Sequence, residues 1–255
     1  MDVLGLGANM VKALRYWLQA VGLTREPKTG KRTQTFTELG ELIDAHDPYL
    51  EETGTLWLLQ YRLAENKDEA TAWYFFFNEF SMQEFTRDDF VTALNKFVLM
   101  EGVEIAPRSL VEDFNCIVGT YLPRHRSQKV SSPENNIVCP FSELGLLDVA
   151  NTQKKIYRKC PPQPLNPWII LAVIVDNATG REEIPLSELL RSPKNIGRVF
   201  NFDSIAMFDA LYNLQRLGEL KINRTAGLDV ISLRKRLTFL DCVRKFYAEL
   251  EEREP

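Results

Sequence analysis

The chain has 255 residues and a formal net charge of −4. That length is enough to bury a core in one to three small domains, and the charge excludes non-specific coating of nucleic acid, so any DNA contact must come from local patches. Hydrophobic content of 45% and charged content of 26% are those of an ordinary soluble globular protein, and no apolar run approaches the roughly 20 residues needed to cross a bilayer, nor does a signal peptide open the chain, which predicts a cytoplasmic protein with no membrane partner.

In chain order, residues 8–21 read as a helix. Met10, Leu14, Trp17, Leu18 and Val21 recur at three- and four-residue spacings and share one stripe. Asn9, Lys12, Tyr16 and Gln19 form the opposite stripe, with Arg15 beside it. Gly22 ends the helix, and Pro27, Gly30 and the cations Lys28, Lys31 and Arg32 make a loop tip that reads as a wing. Between Met1 and Thr33 there are six Lys or Arg against two acids. A polar, cationic helix beside a cationic wing suits a duplex, the helix entering the major groove and the cations meeting phosphates. Asn9, Lys12, Arg15, Lys28, Lys31 and Arg32 are therefore candidate DNA-binding residues, the alternative being a solvated helix and an ordinary hairpin.

The segment 1–50 is thus expected to be a winged-helix-like unit, incomplete at its N terminus because 1–7 is long enough only for a turn. Residues 51–83 form an aromatic helical connector, with helices at 56–64 and 70–80. Trp73, Tyr74, Phe75, Phe76, Phe77 and Phe80 leave almost no polar face, and without interleaved cations they read as core rather than as a base-stacking platform. A second winged-helix-like unit is expected over 84–150. Its first helix starts after Thr86, with Asp88 and Asp89 in the opening turn, and another follows Pro107.

Met10-Val11-Lys12-Ala13-Leu14 lines up with Leu110-Val111-Glu112-Asp113-Phe114, and Phe36-Thr37-Glu38-Leu39-Gly40 with Phe141-Ser142-Glu143-Leu144-Gly145, which suggests an internal repeat with a longer second wing at 123–139. That wing holds Arg124, His125, Arg126 and Lys129, of which Arg124 and Arg126 are further candidate phosphate contacts. The change to Glu112 and Asp113 turns the second helix acidic, toward solvent or a partner protein rather than a groove.

A basic, proline-rich linker is expected at 151–167, where Lys154, Lys155, Arg158 and Lys159 precede Pro161, Pro162, Pro164 and Pro167. The third winged-helix-like unit covers 168–235: a helix or strand at 168–176, short and long helices at 185–191 and 203–217, and a hairpin at 219–233. The long helix is expected to turn Ile205, Phe208, Leu211, Tyr212, Leu214 and Leu217 to the core. A C-terminal helix occupies 236–255. The fold class is mainly α with small β-hairpins (α+β), built of tandem winged helix-turn-helix-like units joined by a helical connector.

The chemistry is sparse. Glu219-Leu220-Lys221, with Asp203 or Asp209 as a further acid, is the spacing closest to a metal-nuclease core, although an exposed pair of this kind is common on any strand. His46 beside Asp47, and His125 between Arg124 and Arg126, are conceivable proton-transfer sites. Cys116, Cys139, Cys160 and Cys242 lack the paired spacing of a zinc site and fit reduced thiols. No Gly-rich phosphate loop with a following lysine is present.

The stretches GANMVKALRYWL, FTELGELI, DPYLEETGTLWLLQYRL, TAWYFFFNEF, CPFSELGLLD and GRVFNFD together resemble a bacterial family of domains of unknown function, typified by the SspB component of single-stranded DNA phosphorothioation (Ssp) phage-defence systems. The resemblance implies a cytoplasmic DNA-binding protein that nicks DNA so that sulfur is incorporated. It implies a divalent metal such as Mg if the protein is a nickase, and as partners DNA, a cysteine desulfurase, an ATPase and a reductase-like sulfur-transfer subunit. It assigns no catalytic residue. A non-catalytic DNA-binding adaptor and a winged-helix transcriptional regulator remain open on the residues alone.

Overall fold

The structure, a computed structural model, describes residues 7–27, 30, 33–123, 138–225 and 228–253. It is a mixed α+β fold in which helices dominate and the strands form small antiparallel sheets. Helix α1 (Ala8–Ala20) leads into a ribbon of β1 (Thr24–Arg25) and β2 (Thr35–Phe36), and α2 (Glu38–His46) follows. Thr37 locks these pieces together: its hydroxyl accepts from the amide of Gly40 as the helix cap and donates to the carbonyl of Gly22 at 2.6 Å.

The middle of the molecule is α3 (Thr53–Glu65), buried on nearly every side, and α4 (Thr71–Tyr74), which widens into a π turn at Phe75–Glu79. Asn78 accounts for the widening, since its side-chain amide donates to the carbonyls of Ala64 at 2.8 Å and Tyr74 at 3.0 Å and so inserts a side chain into the helical ladder. The aromatic run is core, as its composition suggested: Phe76 and Phe77 are fully enclosed, and Trp73, Phe75 and Phe80 nearly so.

Next come β3 (Glu84–Phe85), α5 (Arg87–Met100), α6 (Pro107–Tyr121), a 3-10 turn at Pro140–Leu144, β4 (Leu147–Asn151) and β5 (Ile156–Lys159). The expected cap at Thr86 is present as a reciprocal pair with Asp89. These strands form a sheet in the order β3-β5-β4. The chain continues through α7 (Pro167–Ala178), β6 (Glu183–Pro185), α8 (Leu186–Arg191), α9 (Ile196–Val199), α10 (Ser204–Arg216), β7 (Leu220–Thr225), β8 (Leu228–Leu233) and α11 (Phe239–Glu251). The second three-stranded sheet has the order β6-β8-β7. Helix α7 buries Ile169 through Ile174 without a polar stripe, a burial that a helix reaches only inside a core.

Four expectations change. Residues 151–167 are not simply a linker, because Ile156–Lys159 is the central strand of its sheet, paired with β3 on one side and β4 on the other. The second hairpin is accordingly β4–β5, turning at 152–155, while most of the wing expected at 123–139 lies outside the described residues. The two landmarks of the proposed repeat are also not equivalent: Phe36 to Gly40 enters α2 after its ribbon, whereas Phe141 to Leu144 is a 3-10 turn before its hairpin. On α10 the buried stripe is Met207, Ala210, Leu211 and Leu214, with Ile205, Tyr212 and Leu217 exposed. Two apolar stripes run along this helix, and only the one at spacings of three and four from Met207 faces the core.

Candidate nucleic-acid interface

Asn9 and Lys12 stand exposed on the first turns of α1. The apolar stripe behind them is covered only at its far end, where Trp17 meets Trp73 edge-on at 5.3 Å and Ala20 and Val21 enter the core; Met10 and Leu14 remain exposed. Arg15 is held differently. Its guanidinium meets Glu26 at 2.7 Å, because the β1 strand brings the acid back alongside the helix, and the backbone carbonyl of Arg15 accepts from the Gln34 amide at 2.8 Å. Lys12 and Arg15 therefore present unequal charge: among the described residues no acid pairs with the first, while the second is partly neutralised by a half-buried carboxylate. Lys28, Lys31, Arg32, Arg124 and Arg126 lie outside the described residues, as do His125 and Lys129.

Tyr16, expected on the polar stripe with Lys12, does stand on the exposed side of α1, with part of its ring covered edge-on by Trp17 at 5.8 Å. Burial pushes its hydroxyl up to about 12, and the negative charge of Asp113, with Cys116 and Glu69, adds to the shift. Asp113 is itself raised by burial and by Glu112. Helix α1 thus lies within electrostatic range of the acidic face of α6, which lowers the positive potential on that side and leaves Asn9 and Lys12 as its open polar edge.

The candidate chemistry is dispersed. Glu219 precedes β7 and is buried, its carboxylate paired with Lys235 at 2.7 Å, while Lys221 is exposed. Asp203 caps α10, accepting from the Ala206 amide, and Asp209 is exposed on that helix. His46 stacks on Tyr247 at 4.8 Å and its Nδ1 meets Glu251 at 2.9 Å. Its neighbour Asp47 is turned away to accept from the amides of Glu51 and Glu52. Neither constellation assembles a nucleophile, a base and an oxyanion site.

The structure also brings together cations that lie apart in the sequence. Arg181, Arg234, Lys235 and Arg236 line one cleft beside the end of β8, with Arg181 clasping Glu188 and Arg236 meeting Glu182 at 2.9 Å. Arg87, Lys154 and Lys155 line another with Asn115 and Tyr157, between α6 and the β4–β5 turn. Lys159 enters the core. The signal for Lys159 was available in the two-residue period of a strand, which sets it on the same face as Tyr157, but the lysines and prolines around it masked that period.

Residues 1–247 match a family described as protein of unknown function, DUF4007. The chain belongs to the DUF4007 family. Two solved structures resemble this DUF4007 chain along almost its whole length. One is an SspB crystal structure, with a TM-score of 0.81 and 28% identity over 98% of this chain and 79% of that one. The other is a magnesium ion-bound SspB crystal structure, with a TM-score of 0.77 and 28% identity over 98% and 85%. No curated protein sequence matches it. The family is therefore SspB-like, as the long motifs in the sequence implied. Magnesium belongs to one of those SspB structures. Among the described residues of this DUF4007 chain no three His, Cys, Asp or Glu side chains come together to hold a metal ion. Nor, among the described residues, is any helix long and apolar enough to cross a membrane.

Proposed function

We propose that this chain is the DNA-binding component of a bacterial DNA phosphorothioation defence system, and that it nicks DNA to allow sulfur incorporation. The observation that carries this reading is the likeness to SspB over 98% of the chain. The partners proposed are DNA and the cysteine desulfurase, ATPase and reductase-like subunits of the same system, in the cytoplasm.

The topology supports a tandem winged-helix-like reading. A strand, helices and a hairpin whose second strand lies centrally occur twice, as β3-β5-β4 around α5 and α6 and as β6-β8-β7 around α8 to α10. In such a unit the helix before the hairpin is offered to DNA and the hairpin flanks it. Asn9, Lys12, Arg15, Lys28, Lys31, Arg32, Arg124 and Arg126 are proposed as phosphate and groove contacts. Incubation of supercoiled plasmid with the protein and a divalent metal tests nicking: open-circular product is expected, and persistently supercoiled plasmid rejects it.

The second reading is a non-catalytic adaptor that positions the sulfur-transfer enzymes on DNA. It is favoured by the separation of the nuclease-like residues: Glu219 is paired with Lys235, Asp203 caps α10, and Lys221 and Asp209 are exposed. Retention of the ATPase and reductase-like subunits in a pull-down with DNA, without nicking, is its expected signature.

A further inference from the structure

Lys159 closes β5, and its side chain runs beneath the π turn. The residue is 7% exposed, and its Nζ donates to the carbonyls of Phe76 at 2.5 Å and Phe80 at 2.6 Å. The same Nζ lies 4.6 Å from the Phe76 ring centroid and 5.4 Å from that of Phe80. Carbonyls at a helix end and ring faces both stabilise a cation, yet none of them neutralises it. Burial, together with the positive charge of Arg198, lowers the Lys159 ammonium to about 7.

Arg198 shares this poverty of counter-charge. Its Nε donates to the Arg191 carbonyl at 3.0 Å, and among the described residues neither it nor Lys159 is paired with a carboxylate. Two cations in mutual range without an acid between them are costly to hold charged where one is desolvated. A lysine at the rim would cap the same two carbonyls while keeping its hydration. The arrangement is therefore more expensive than helix capping requires.

In front of the two cations opens a cleft of about 210 Å³, walled also by Ser81, Gln83, Gly197 and Asn201. One acid, Asp203, is on its wall and is engaged in capping α10. The walls are fixed. Asn201 holds a left-handed backbone with φ 56° and donates to the carbonyls of Leu146 and Cys160 at 3.2 Å, a conformation that is strained outside glycine and needs such support. At Gly197 an added Cβ would lie 2.1 Å from the Leu190 carbonyl oxygen, so α9 is pressed onto α8 and Arg198 is carried by a rigid turn.

We infer that this cleft binds a phosphate-like oxyanion between Lys159 and Arg198, with the Ser81 hydroxyl and the Gln83 amide beside it. The anion supplies the negative charge that the protein does not. Its source is either a phosphodiester of nucleic acid or a free phosphate. The inference stands on the cleft alone and does not require that the protein bind DNA.

The test uses the full chain below neutral pH, where Lys159 carries its proton. Sodium phosphate is titrated against sodium chloride at matched ionic strength, following the thermal midpoint and the 15N signal of the Lys159 amine. A saturable phosphate effect is expected in the wild type. Arg198→Gln, which leaves the buried lysine in place, is expected to bind phosphate at least about tenfold more weakly, the loss of one charge-assisted hydrogen bond. No effect beyond chloride in the wild type, or equal binding by Arg198→Gln, overturns the site. A short oligodeoxynucleotide that displaces phosphate identifies nucleic acid as the source, and one that binds without displacing it identifies free phosphate and leaves the DNA reading intact elsewhere.

Discussion

The hydroxyl of Tyr121 donates to the side-chain oxygen of Gln60 at 2.6 Å, across 61 residues of sequence, and the Gln60 amide donates in turn to the carbonyl of Val199 at 3.0 Å. One fully buried amide thus joins α6, α3 and α9. Replacing Gln60 with Met leaves a buried hydroxyl and a buried carbonyl without partners, each costing about 1–3 kcal/mol. Gln60→Met is expected to lower unfolding free energy by about 2–4 kcal/mol and Tyr121→Phe by less, measured by denaturant titration.

Lys159 gives a pH dependence whose sign is fixed. Its unfolded-state value is 10.5 and its folded value about 7, lowered by burial and Arg198, with Asp203 the acid on the same cleft wall. The unfolded chain therefore binds one more proton between these limits, and the stability present above the higher value is lost as pH falls through the lower one. From about pH 7 to about pH 9 the wild type is expected to gain about 1–3 kcal/mol relative to Lys159→Met. Parallel denaturant midpoints for the two proteins over that range would contradict the burial of a titrating amine.

Gly40 is the contact point between α2 and the ribbon. An added Cβ would lie 2.1 Å from the Leu23 carbonyl oxygen, and a backbone oxygen cannot swing aside as a side chain can. Gly40→Ala is expected to cost about 1–3 kcal/mol and to disturb the pairing of Thr24 with Phe36, seen as faster amide exchange at 24–25 and 35–36. Exchange unchanged from the wild type would show that the ribbon moves as one body with α2.

The proposed DNA contacts make unequal predictions. Lys12→Ala removes an exposed cation, so binding should weaken on all sequences and the slope of log affinity against log salt should fall by about 0.9 for a lost phosphate contact. Arg15→Ala also releases Glu26 from its ion pair, which exposes an acid and deepens the loss. Charge removal at Lys28, Lys31 and Arg32 is expected to flatten the salt dependence further, and gel-shift titrations at several salt concentrations read all three. Binding that ignores these substitutions would place the contact surface elsewhere, the Arg181 and Arg234–Arg236 cleft first.

Long helices were legible in the sequence: Thr86 starts α5 where its side chain predicts, and α10 fills the expected span 203–217. The two-residue strand β3 was not, because so short a strand has no periodicity and exists only through its partner, whereas β1 and β2 flank the tip that read as a wing. Strand β5 was hidden by its own charge. Tyr157 sits 6.0 Å from Phe85 and 5.4 Å from Phe114 between ring centroids, which fixes the inward face and sends Lys159 with it, but a run of lysines followed by prolines reads as solvent-loving when no partner strand is known. At the proposed interface, the exposure of Lys12 followed from its helical stripe. The pairing of Arg15 with Glu26 did not, since it depends on the path of the chain after Gly22.

The late arrival of β5 has a biosynthetic consequence. The ribosome delivers Glu84 and Phe85 more than seventy residues before the segment that zips against them, so the nascent polypeptide carries a naked strand edge and phenyl rings awaiting Tyr157 until residues 156–159 clear the exit tunnel. Chaperone demand, and the hazard of stalled or truncated products clumping, is concentrated in that interval of translation.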